Sequence, residues 1–154
     1  MLSVKRAMDQ NGGIRIDLSG TIDIDDLDTL LGQVEGPTDI YCSQVTQINS
    51  VGVRNWVLYF SDPSVMKFKV KLYEVSLTLV EQMSMIHNFT GFAEAVSFMA
   101  PYACSKCKLE FSVIMQKSDV LMEAVLVADQ PCPNCKGPGV FDEDPTFYLK
   151  LSRK

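Results

Sequence analysis

The chain has 154 residues, 47% hydrophobic and 21% charged, enough apolar side chain to bury a core and to exclude wholesale disorder. Its formal net charge is −5, which speaks against non-specific nucleic-acid binding, because that needs a basic footprint. The imbalance lies in residues 1–100, with 7 Lys+Arg against 12 Asp+Glu, while residues 101–154 carry 7 of each. The opening MLSVKRAMDQNGG lacks the apolar stretch of a signal peptide, and no run approaches the roughly 18 apolar residues of a membrane span, so a cytoplasmic protein is expected.

Along the first hundred residues the pattern alternates between strand and helix. Ile14–Ser19 alternates apolar and polar after the turn Asn11-Gly12-Gly13, with Leu2–Met8 as its hairpin partner. Asp25 or Asp26 can cap a helix with Leu27, Leu30, Leu31 and Val34 on its apolar side, ending at Gly36-Pro37. Asp39–Ser43 reads as a short buried strand. Asn49 or Ser50 can cap a second helix, with Val53, Trp56, Val57 and Phe60 on one face and Asp62-Pro63 as its stop. In Met66–Val75, Phe68, Val70 and Leu72 alternate with Lys67, Lys69 and Lys71, which predicts a strand near an edge or with one face partly uncovered. Leu77–Met85 is a third helix and Ala93–Met99 a last strand. The order ββαβαβαβ predicts an α/β fold with right-handed crossovers.

Pro101 marks a change of character. Beyond it the sequence predicts a hairpin of Leu109–Met115 and Val120–Val127 turning at Gln116–Asp119, then a final strand at Thr146–Leu151. Two Cys-x-x-Cys pairs frame this region: Cys104 and Cys107, then Cys132 and Cys135. Two such pairs can supply four thiolates in a tetrahedron about 2.3 Å from one ion, with no position left for water. The expectation is one structural Zn²⁺, with Lys106, Lys108 and Lys136 offsetting its thiolate charge and Gly137 able to take positive φ in the turn. Cys42 stands alone in an apolar segment and is read as a buried structural thiol.

The arrangement from Cys104 to Cys135 resembles a zinc ribbon. Upstream, Gly20-Thr21-Ile22-Asp23 after a strand, and Gln47-Ile48-Asn49-Ser50-Val51-Gly52-Val53, are similar to two motifs of STAS domains, the anti-sigma-factor-antagonist fold. The resemblance covers roughly residues 3–100 and implies a STAS-like mixed sheet over 1–100, with a small β-rich zinc ribbon over 101–154. It also implies a protein-interaction module whose partner is a regulatory serine kinase or an anti-sigma-type factor, docking on Asn49, Ser50, Val51, Gly52, Val53 and Arg54. Ser50 occupies the position phosphorylated in that family. Asn49 stands where the family has Asp, and Val51 where it has Ser or Thr. A helix cap is the plainer reading of Asn49-Ser50.

No phosphate-binding glycine loop and no catalytic triad is present, so no enzyme is expected. The single His87 is read as a surface residue, and Met83, Met85, Ile86 and Phe89 as core. The acidic run Asp23, Asp25, Asp26, Asp28 lacks the remaining features of a calcium loop and suits a helix N-terminus. Two further functions follow from the Cys region: a nucleic-acid-binding ribbon using Lys106, Lys108, Lys136, Lys150, Arg153 and Lys154, and an assembly role in which the ribbon makes an oligomer contact.

Overall fold

The computed structural model describes residues 1–23 and 27–153. Strands β1 (Leu2–Met8) and β2 (Ile14–Ile22) form the expected hairpin, in register from Leu2 opposite Gly20 to Met8 opposite Ile14. The proposed caps Asp25 and Asp26 lie outside the described residues. Helix α1 covers only Leu27–Leu31, because Gly32 takes φ +78° and turns the chain out of the helix well before Gly36-Pro37. Strand β3 (Thr38–Ile48) is longer than expected and pairs in parallel with β2.

Helix α2 (Ser50–Phe60) starts where the sequence placed it, and Asn49 is the cap: its side chain accepts the Gly52 amide at 2.8 Å. Asn49→Ala should therefore cost about 1 kcal/mol, and Ser50→Ala only a few tenths, in denaturant unfolding. Equal costs would contradict the assignment. Asp62 caps a short α3 (Pro63–Lys67), accepting the Ser64 amide at 2.9 Å with Pro63 in the first turn. The expected long strand is thereby shortened to β4 (Lys71–Tyr73), since the cap and proline favour helix until Lys69 ends it at φ +56°. Helix α4 (Leu77–Met85) follows, then β5 (Glu94–Ala95).

The first sheet has the order β1-β2-β3-β4-β5, all parallel after the first hairpin. One face buries Ile14, Ile16, Leu18 and Ile22 of β2 with Ile40, Cys42 and Val45 of β3 and Leu72 of β4. The other is open and polar. Arg15, Asp39, Lys71 and Glu94 stand side by side on four strands, a ladder of alternating charge. Arg15 also lies 3.8 Å from the centroid of the Tyr41 ring, which stacks on Tyr73 at 5.1 Å. This uncovered face accounts for the lysine of β4.

Strand β6 (Ser97–Cys104) leaves the first sheet and founds a second, with β7 (Glu110–Gln116), β8 (Gln130–Pro131) and β9 (Pro138–Phe141) in the order β7-β6-β9-β8. The passage between sheets therefore falls just before Ser97, and Pro101 lies within a strand. The sheets are stitched by a bridge from Val75 to Phe98 and by the Glu74 amide donating to the Ser97 hydroxyl at 2.8 Å.

Two expected strands are helical. Lys117–Val120 forms α5, where the Asp119 carboxylate accepts the Gln116 amide and starts a helix in place of the predicted hairpin turn, and Glu123–Leu126 forms α6, which has no side-chain cap. An apolar run as short as Val120–Val127 suits either state by pattern alone. Thr146–Leu149 forms α7, followed by a 3₁₀ turn at Lys150–Arg153; the Asp144 carboxylate accepts the Thr146 amide and Pro145 favours a helical start. Helix α4 packs on β3, β6 and α7. Leu79 and Val80 thus share one buried cluster with Phe98, Tyr102, Leu126 and Tyr148. Met83 and Phe89 belong to it as expected, whereas Met85 is 65% exposed.

Candidate metal centre

Each Cys pair sits at the tip of a hairpin. The first joins β6 to β7, and the second joins β8 to β9. Pairing of β6 with β9, with Cys104 opposite Gly139, brings the tips together although 24 residues separate Cys107 from Cys132. The two tips have the same local geometry. Cys104 donates its amide to the Leu109 carbonyl and accepts the Lys108 amide on its own carbonyl; Cys132 does the same with Gly137 and Lys136, all at 2.9–3.1 Å. Lys108 and Lys136 both take φ +66°. The left-handed residue is thus the lysine after each second cysteine, and not Gly137 as the sequence suggested. Gly137 sits in close quarters: a Cβ there would lie 2.9 Å from the flexible Lys106 side chain and 3.2 Å from Cys135 Sγ.

The four sulfurs all lie within 4.8 Å of one another. Cys104 and Cys135 Sγ are 3.5 Å apart, and Cys107 and Cys132 Sγ 3.6 Å. A tetrahedron with arms of about 2.3 Å has edges of about 3.8 Å, so one ion fits between them. Amides of Lys106 and Cys107 point at Cys104 Sγ, and that of Asn134 at Cys132 Sγ, each at 3.4 Å. Such donors stabilise thiolates. They hold Cys104 down at about 6, the Cys107 amide contributing most. Cys107 is lowered too, first by the Leu109 amide. At Cys135 the Gly137 amide acts in the lowering direction, but the neighbouring thiols dominate and push it up to about 11. Four thiolates in this space repel one another, and a divalent cation removes that conflict. The donor set and spacing fit a closed tetrahedral metal site.

Cys42 lies elsewhere, fully buried in β3, with its thiol pushed up by burial. His87 is exposed and no part of the cluster. The repeated Cys-x-x-Cys-Lys spacing was the available signal for the left-handed lysines. The amides aimed at sulfur leave no trace in residue identity.

The STAS-like positions form a second locus. Asn49 donates its amide to the Ile22 carbonyl at 3.1 Å, placing the start of α2 at the end of β2. Gly52 is buried there, and Ser50, Val51 and Arg54 are exposed while Val53 is half-buried. Thr21, Asp23, Thr46, Gln47, Asn49 and Glu81 line an open polar cleft of about 480 Å³ beside them.

The fold and the cysteine cluster together define a mixed α/β protein with a candidate four-cysteine metal site. Neither a family model nor a curated protein matches the chain. Among solved structures it is similar to an uncharacterized DUF3478-family protein with a SpoIIAA-like fold from Shewanella loihica PV-4, at 12% identity and a TM-score of 0.38, over 61% of this chain and 82% of that one. The fold described above rests on its own strand order and register. No helix among the described residues is long and apolar enough to cross a membrane.

Proposed function

We propose that the chain is a non-catalytic, cytoplasmic regulatory module that docks a protein partner through α2, and that its four cysteines hold one structural Zn²⁺. The observation that carries the docking reading is the division of α2 into two faces. Gly52, Trp56, Tyr59 and Phe60 anchor it in the core, while Ser50, Val51, Arg54 and Leu58 face outward, with Val51 42% and Leu58 59% exposed. The outward set includes the residues at which the sequence resembles the partner-binding motif of STAS domains. That resemblance supports an anti-sigma-type factor or a regulatory serine kinase as the partner class.

The test is capture on the immobilised full chain, wild type against Val51→Glu/Leu58→Glu. Both positions are exposed, so the fold should stand and capture should be lost. Equal capture by both proteins would end the reading. Ser50→Asp separates docking from switching. Asn49 holds the cap and a negative charge suits a helix N-terminus, so folding should be unchanged. A phosphorylation switch at Ser50 predicts about tenfold weaker binding of the captured partner, and unchanged affinity would leave docking without a switch.

A further inference from the structure

The two sheets have four edges, and three carry features that discourage a further strand. β1 bears Lys5 and Arg6, β5 has two residues, and β8 has two residues including Pro131. β7 differs. Its seven residues, EFSVIMQ, include no proline, glycine or lysine. The Cys104 amide bonds the Leu109 carbonyl at 2.9 Å and the Lys117 amide bonds the Val96 carbonyl at 3.2 Å. In the antiparallel register these two bonds set the parity of the ladder: odd-numbered residues of β7 bond to β6. Glu110, Ser112 and Ile114 therefore turn their amides and carbonyls toward the free edge, where no described element meets them. Ile114 is also 52% exposed.

We propose that β7 is a self-association edge, through which two copies of this chain pair antiparallel about a two-fold axis at Val113, joining their second sheets into one. The strand is self-complementary in that register. All seven residues pair, Phe111 meets Met115 of the second copy on one face, and Ser112 meets Ile114 on the other. Glu110 meets Gln116 at the ends. Ser112 and Ile114, both outward-bonding, then face each other twice across the axis, while Glu110 faces Gln116, whose amide the Asp119 carboxylate already accepts; a shift of one position breaks the central match. The antiparallel arrangement also brings the basic end of the hairpin, with Lys106 and Lys108, to the end of the second copy's β7 that runs on through Lys117 to Asp119 and Glu123, so a net positive turn meets a net negative one. The contact is isologous, as a two-fold interface requires.

Sedimentation velocity on the full chain tests this. The paired surface is small, so a dimer with a dissociation constant of about 10 μM is expected. Ser112→Lys/Ile114→Lys places like charges opposite each other twice across the axis and should weaken the dimer about tenfold or more. Ser112→Glu/Ile114→Lys places opposite charges there and should keep it. Both residues are exposed, so neither variant should disturb the fold. Ser112→Pro removes an outward amide without touching the β6 ladder and should yield monomers with unchanged circular dichroism. A wild-type monomer at about 100 μM would overturn the proposal and leave the edge to a strand of another protein. Equal dimerisation of the two double variants would overturn the register and the proposal with it.

Discussion

Cys132→Ser should abolish stoichiometric zinc binding and unfold the tips of both hairpins, whereas Cys42→Ala should leave one zinc per chain. Cys132 is buried beneath the second tip, its sulfur 3.6 Å from that of Cys107. Its loss leaves three thiols around a space shaped for four. Structural zinc contributes on the order of 10 kcal/mol in small zinc domains, so removal of the metal is expected to be among the largest single perturbations available to this chain. The effect should be regional. β6 also packs on α4, and Tyr102 and Tyr148 belong to the common core, so the first sheet should keep its structure when the tips melt. Protons compete with metal for thiolates, so acidification should release zinc and a return to neutral pH should restore it. Elemental analysis and amide hydrogen exchange read both results. Zinc retained by Cys132→Ser, or lost from Cys42→Ala, would refute the ligand assignment.

Gly52→Ala should destabilise the protein by about 3 kcal/mol, far more than an ordinary glycine-to-alanine change in a helix, which is commonly stabilising. A Cβ on Gly52 would lie 2.1 Å from the Ile22 carbonyl oxygen and 3.0 Å from its side chain. Backbone on both sides must then move apart, and the Asn49 amide bond to the same carbonyl is lost with it. The glycine in the α2 motif thus has a packing reason independent of any partner. Unfolding in urea measures the cost. A change of only a few tenths would show that the α2 start is loosely held.

Sequence was sufficient where chemistry is carried by residue type at short spacing. Two Cys-x-x-Cys pairs specify a set of four thiol donors whatever the fold does between them. The hairpin of β1 and β2, the amphipathic α2 and, α3 apart, the alternation of strand and helix up to Ala95 were legible for the same reason, because period and punctuation are local properties. Asn49-Ser50 marked a helix start, and only the backbone geometry chose Asn49 as the cap, since either side chain satisfies the rule.

Tertiary structure decided the rest. Val120–Val127 and Thr146–Leu151 are apolar runs too short for their period to separate strand from helix; in the folded chain both are helical, with Val120, Leu126, Tyr148 and Leu151 buried in the common core. Met66–Val75 alternates like a strand, but the Asp62 cap and Pro63 hold its beginning in a helix. The association of the two cysteine hairpins depends on the pairing of β6 with β9, about 35 residues apart in sequence. The joining of the sheets through Val75 and Phe98 is likewise a long-range contact. No local pattern encodes which strand meets which, because that choice is made by the apolar surface each element must bury against the others.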